Sequence, residues 1–149
     1  MLRVLTAFVL AVLVTAMSGS VIQSLCNLLA LRNLGASIPL TAWFNTLGYD
    51  LLNFGPVYAA LVTVAFAPAL AVAAGLSRLF GHWRLFIYAT GGVLSLLLSF
   101  QLVDALAPMP TLIAATRSLM GTLLMAASGA LGTCAFALLI RPTTARGAQ

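Results

Sequence analysis

Four apolar runs, at about 4–31, 56–76, 83–106 and 113–140, take up most of this 149-residue chain. Each holds at least the ~20 residues that a helix needs to cross the ~30 Å hydrocarbon layer of a bilayer. Hydrophobic residues make up 62% of the chain and charged residues only 6%, against about 45–50% and about 25% in a soluble domain. No water-facing fold of this size hides that excess, so the bilayer is the solvent that fits. The expected fold is an all-α membrane protein, a single domain over 1–149. It has four transmembrane helices and, within an outer loop at 32–55, one short interfacial or re-entrant helix.

The first run begins like a signal peptide, with Arg3, a greasy stretch and small residues from Ala16 to Ser20. A signal peptide's apolar region ends after about 7–15 residues. This one continues through Val21, Ile22, Leu25, Leu28 and Leu29, which predicts an uncleaved helix, long enough to tilt or protrude. Ser20, Gln23, Ser24 and Asn27 fall at i, i+3, i+4 and i+7, on one face. Lipid offers such a stripe no hydrogen bonds, so it turns inward. It is either glue between helices or one wall of a polar cavity.

Residues 32–55 cannot sit in lipid as an unstructured segment. Arg32, Asn33 and Gly35 end the first helix, and Ser37 or Thr41 can cap the next. Trp43, Leu47, Leu51 and Phe54 are spaced four, four and three apart and share a face. That pattern predicts a short amphipathic helix over 41–54, lying in the interface or dipping back. Trp43, Tyr49 and Tyr58 are expected at headgroup depth. Phe54-Gly55-Pro56 reads as a break followed by a fresh helix start, since proline suits a first helical turn. Pro68 predicts a kink within the second span.

Gly91-Gly92 in the third span and Ser128, Gly129, Gly132 and Thr133 in the fourth permit close helix packing. Pro108 and Pro110 force the turn between these spans. Cys26 lies near one membrane face, toward the end of the first span, and Cys134 near the other, toward the end of the fourth, on the order of 20 Å apart in depth. A disulfide tolerates Cα separations only up to about 7 Å, so no bridge between them is expected.

The net charge of +5 comes from seven arginines and no lysine, set against Asp50 and Asp104. These arginines are scattered singly at segment ends, without the clustered basic face that nucleic acid requires. With four spans, Arg3, Arg78, Arg84, Arg141 and Arg146 fall on one side, and Arg32, Arg117 and both acids on the other. The positive-inside rule then puts both termini in the cytoplasm, for a multi-pass protein of the inner (plasma) membrane.

Chemically the chain is sparse. The sequence has one histidine, His82, and no HExxH, GxSxG or phosphate-binding glycine loop, so no enzyme, cofactor or metal site is expected. The outer half gathers a candidate polar pocket of Gln23, Asn27, Asp50, Asp104 and Arg117. Asp104 and Arg117 flank one turn and can pair as a staple. Asp50-Leu-Leu, Pro56-Val-Tyr58, Ala115-Thr116-Arg117 and Gly129-Ala-Leu-Gly132 resemble a set of small four-span inner-membrane proteins of bacteria with no assigned function. The likeness covers most of the chain from Arg32 onward; it implies a four-span unit and no activity. The expected role is non-catalytic: an accessory or scaffold subunit that packs against a larger membrane complex or against itself, with the lipid bilayer as its other partner. The alternative is a small transporter or ligand-binding protein that uses the outer polar pocket.

Overall fold

The computed structural model describes residues 1–106 and 113–140. Within them the chain forms four long helices: α1 (Leu2–Asn33), α2 (Leu40–Leu79), α3 (Arg84–Leu106) and α4 (Leu119–Leu139). All four are long and apolar enough to cross a membrane. A 3-10 turn at Gly81–Trp83 links α2 to α3, and another at Ala114–Arg117 precedes α4. Each helix packs on the next, and α4 closes on α1, so the four make a ring with the core at its centre.

Two arginines fix the register at one end of this ring. Arg3 Nε donates to the Leu139 carbonyl at 3.2 Å, and an Arg84 terminal nitrogen donates to the Ala137 carbonyl at 2.9 Å. Those carbonyls belong to the last turn of α4, where helical partners run out and a cation is favoured. The starts of α1 and α3 and the end of α4 therefore lie together, with Arg78 close by at the end of α2. Asp50, Asp104, Arg32 and Arg117 lie toward the opposite end.

Small residues let the helices touch through their backbones. A methyl group on Gly92 would run into the Gly129 carbonyl and the Thr133 hydroxyl. One on Gly132 would meet the Thr15 hydroxyl and the Ala11 carbonyl, the latter at 2.6 Å. These contacts seat α4 between α3 and α1. Gly19 on α1 leaves the slot filled by the Tyr58 ring.

Three sequence expectations need correction. The stretch 41–54 is helical, but it is no separate helix: α2 runs unbroken for 40 residues through Gly55, Pro56 and Pro68. Gly55 keeps a negative φ; the positive-φ glycine among the described residues is Gly35, at 87°, in the turn after α1. Pro56 has no N–H to donate to the carbonyl of Leu52, an exposed residue. Helix propagation on both sides carries the chain through. The cap of α2 is Pro39, in extended conformation, with no side-chain hydrogen bond from Ser37 or Thr41. Finally, α4 starts at Leu119 and not near 113, because extended Ser118 accepts from Gly121 N at 3.0 Å and caps it. The Pro108–Pro110 turn lies outside the described residues.

The helices differ in length. At 1.5 Å per residue, α3 and α4 measure about 35 and 32 Å, which matches a ~30 Å hydrocarbon layer. By the same rise α1 is about 48 Å long and α2 about 60 Å. Gln23 bonds the turn that precedes α4, so, among the described residues, 24–33 of α1 and 40–50 of α2 continue past the start of α4 as an overhanging hairpin.

Candidate functional site

The polar groups of α1 meet other elements where that overhang begins. Gln23 is buried, and its side-chain carbonyl accepts from the Ala115 backbone N–H at 2.9 Å. This bond anchors the 3-10 turn before α4 onto α1. One residue on, the Ser24 hydroxyl, fully buried, donates to Asp50 Oδ2 at 2.7 Å, with the Ser20 carbonyl a longer acceptor at 3.1 Å. That ties α1 to α2. A turn below, the Ser20 hydroxyl is buried without a hydrogen-bond partner among the described residues.

Tyr58 extends the same line of contacts into the core. Its ring stacks on Phe54 at 5.4 Å and on Phe100 at 6.4 Å between centroids. Its hydroxyl lies 3.3 Å from Ser128 Oγ. Ser128 already donates to the Met125 carbonyl at 2.6 Å, so Tyr58 is the donor. This residue is 1% exposed, which corrects the expectation of a headgroup-level tyrosine. The slot at Gly19, 39 positions upstream, decides its burial. Trp43 is half-buried and Tyr49 exposed on the overhanging part of α2.

Of the five residues of the candidate pocket, the structure joins Gln23 and Asp50 through adjacent positions on α1. Arg117 is exposed, two residues beyond the Ala115 that Gln23 holds. Asn27 is half-buried one turn farther along α1. Asp104 is exposed near the end of α3 and makes no ion pair among the described residues, so the staple to Arg117 is not formed. Ser24 and Ser20 belong to the cluster as well, as their place in the α1 stripe allowed. Gln23 and Asp50 both accept hydrogen bonds from within the chain, which makes the cluster a set of ties between helices. Among the described residues no three His, Cys, Asp or Glu side chains gather as metal ligands. Both cysteines are free.

A cavity of 580 Å³ opens at the other end of the bundle. Leu5 and Phe8 of α1, Leu70, Ala71 and Ala74 of α2 and Phe136 of α4 form much of its wall. It is apolar and open on one side, and none of the candidate pocket residues reaches it.

Comparison with known proteins finds no matching family model, no matching curated protein and no matching solved structure.

Proposed function

We propose that this protein is a non-catalytic accessory or scaffold subunit of an inner-membrane assembly. Its overhanging hairpin is the surface that meets a larger complex or a second copy of the chain. The observation that carries this reading is the mismatch between helix lengths. The headgroup layer is about 5–7 Å deep on each side of the hydrocarbon. From Asp50, level with the start of α4, Phe44 lies about 9 Å and Leu40 about 15 Å farther out. Both are more than two-thirds exposed, and with the start of α4 taken as the edge of the hydrocarbon they stand beyond the lipid tails.

In this reading residues 40–54 of α2 rise through the headgroup level, with Trp43 and Tyr49 as its aromatic anchors. Both termini face the cytoplasm, on the strength of the arginines at the Arg3 end. The resemblance to small four-span bacterial proteins accords with this role and adds no activity to it.

A photo-crosslinking amino acid at Phe44, introduced in native membranes, tests the proposal. The expected result is a discrete protein adduct at Phe44 and none at Leu98, an exposed position on the lipid-facing side of α3. Lipid adducts alone at both positions overturn it.

The rival reading, a small transporter or ligand-binding protein, draws support from the buried, unpartnered Ser20 hydroxyl beside Ser24 and Asp50. Under it, Asp50→Asn abolishes uptake or binding while the fold survives. An Asp50→Asn protein that still supports assembly and growth as the parent does removes that reading.

A further inference from the structure

The apolar cavity at the Arg3 end has a charged rim. Along α2 its wall is built by Ala67, Leu70, Ala71 and Ala74. Arg78 follows Ala67, Ala71 and Ala74 at i+11, i+7 and i+4, so it continues the same helix face one turn past the last wall residue. On α1, Arg3 lies between wall residues Met1 and Val4. Its Nε holds the Leu139 carbonyl, one turn from Phe136 at the back of the cavity. A guanidinium carries five N–H donors, so the two terminal nitrogens of Arg3 keep donors beyond that bond. Both carboxylates of the chain, Asp50 and Asp104, sit toward the far end of the bundle.

The cavity and its rim differ sharply in character. The wall is almost wholly apolar, and alanines at 67, 71 and 74 leave room where larger residues would close the α1–α2 seam. Its 580 Å³ lies within the ~300–1,000 Å³ of small-ligand clefts. It is lined by two helices that are long and apolar enough to span a bilayer, near the end of the bundle that holds Arg3. A ligand that fits must be a hydrocarbon chain with an anion at one end.

We propose that the groove between α1 and α2 is a binding site for an anionic phospholipid, one acyl chain lying along Ala67, Ala71 and Ala74 and the phosphate meeting Arg78 and Arg3. The chain stem gains contact with a wall that no side chain among the described residues fills. The headgroup gains two cations with no aspartate or glutamate side chain nearby. Basic sites between transmembrane helices select acidic lipids on the same physical grounds. This inference rests on membrane residence alone and is independent of the accessory role.

The test uses the full chain reconstituted in nanodiscs of equal parts phosphatidylglycerol and phosphatidylcholine. The protein is released into mild detergent and weighed intact by native mass spectrometry. The parent is expected to retain one phosphatidylglycerol in clear preference to phosphatidylcholine. Ala71→Phe fills the open groove from an exposed position and is expected to lose the bound lipid, with helix content unchanged. Arg78→Gln makes no change in the Arg3 and Arg84 ties to α4. It is expected to keep a bound lipid but to lower the phosphatidylglycerol preference about fivefold, which corresponds to the ~1 kcal/mol of one basic residue near an anionic surface. Equal retention of the two lipids by the parent overturns the proposal. So does unchanged retention in Ala71→Phe, unchanged preference in Arg78→Gln, or a second protein copy in place of the lipid.

Discussion

Along one face of α1, Ala7, Ala11, Thr15 and Gly19 follow each other at four-residue spacing, all buried. Farther along, the helix turns Ser20, Gln23, Ser24 and Asn27 inward instead. The first set lets backbones approach until Gly132 of α4 has no room for a methyl group. The second reaches across wider gaps with side-chain hydrogen bonds to Ala115 and Asp50. Within the layer that α3 and α4 can span, contact is by van der Waals fit, since lipid supplies no hydrophobic drive between helices. Where α1 and α2 outrun their neighbours, polar ties replace it. The close-packed half tolerates almost no added volume, whereas the tied half does not tolerate the loss of an acceptor.

Substitutions can break or sharpen this contrast. The largest effect is expected for Gly132→Leu, whose side chain would displace Thr15 and the Ala11 backbone. Overpacking of this kind costs about 3 kcal/mol, read as a loss of folded protein on titration of mixed micelles with a denaturing detergent. Gln23→Leu is close in volume but leaves the Ala115 N–H buried without its acceptor. A loss of about 2 kcal/mol is expected, with faster amide exchange at Ala115. Ser24→Ala is expected to cost about 1 kcal/mol, because half-buried Asp50 can turn toward water. Tyr58→Phe removes only a hydroxyl from a well-stacked ring, and about 0.6 kcal/mol is the typical worth of such a bond between membrane helices. If Ser24→Ala proved costlier than Gly132→Leu in the same titration, the division of the bundle into fitted and tied halves would fail.

The four long helices were legible because length and apolarity alone decide them. The inward turn of Gln23 and Ser24 was legible too, because their spacing puts them on one face. The continuity of α2 was not. Gly55-Pro56 is locally a break, and only the helix already formed on each side overrides it. Burial of Tyr58 was equally hidden, since a tyrosine after a proline at a segment start looks like an interfacial anchor. Its slot depends on Gly19, a pairing no local pattern reveals. Of the candidate pocket, Gln23 and Asp50 join through adjacent positions on α1, while Asp104 is exposed on α3 and stands apart from the Gln23 and Ser24 bonds.

The two guanidinium bonds to the end of α4 bear on how the bundle is assembled. Arg3 and Arg84 belong to helices that leave the ribosome before α4 does, yet their acceptors at Leu139 and Ala137 are among its final residues. Neither clasp can shut until the last turn of α4 has been made, so an intermediate lacking that turn keeps its glycine seams open.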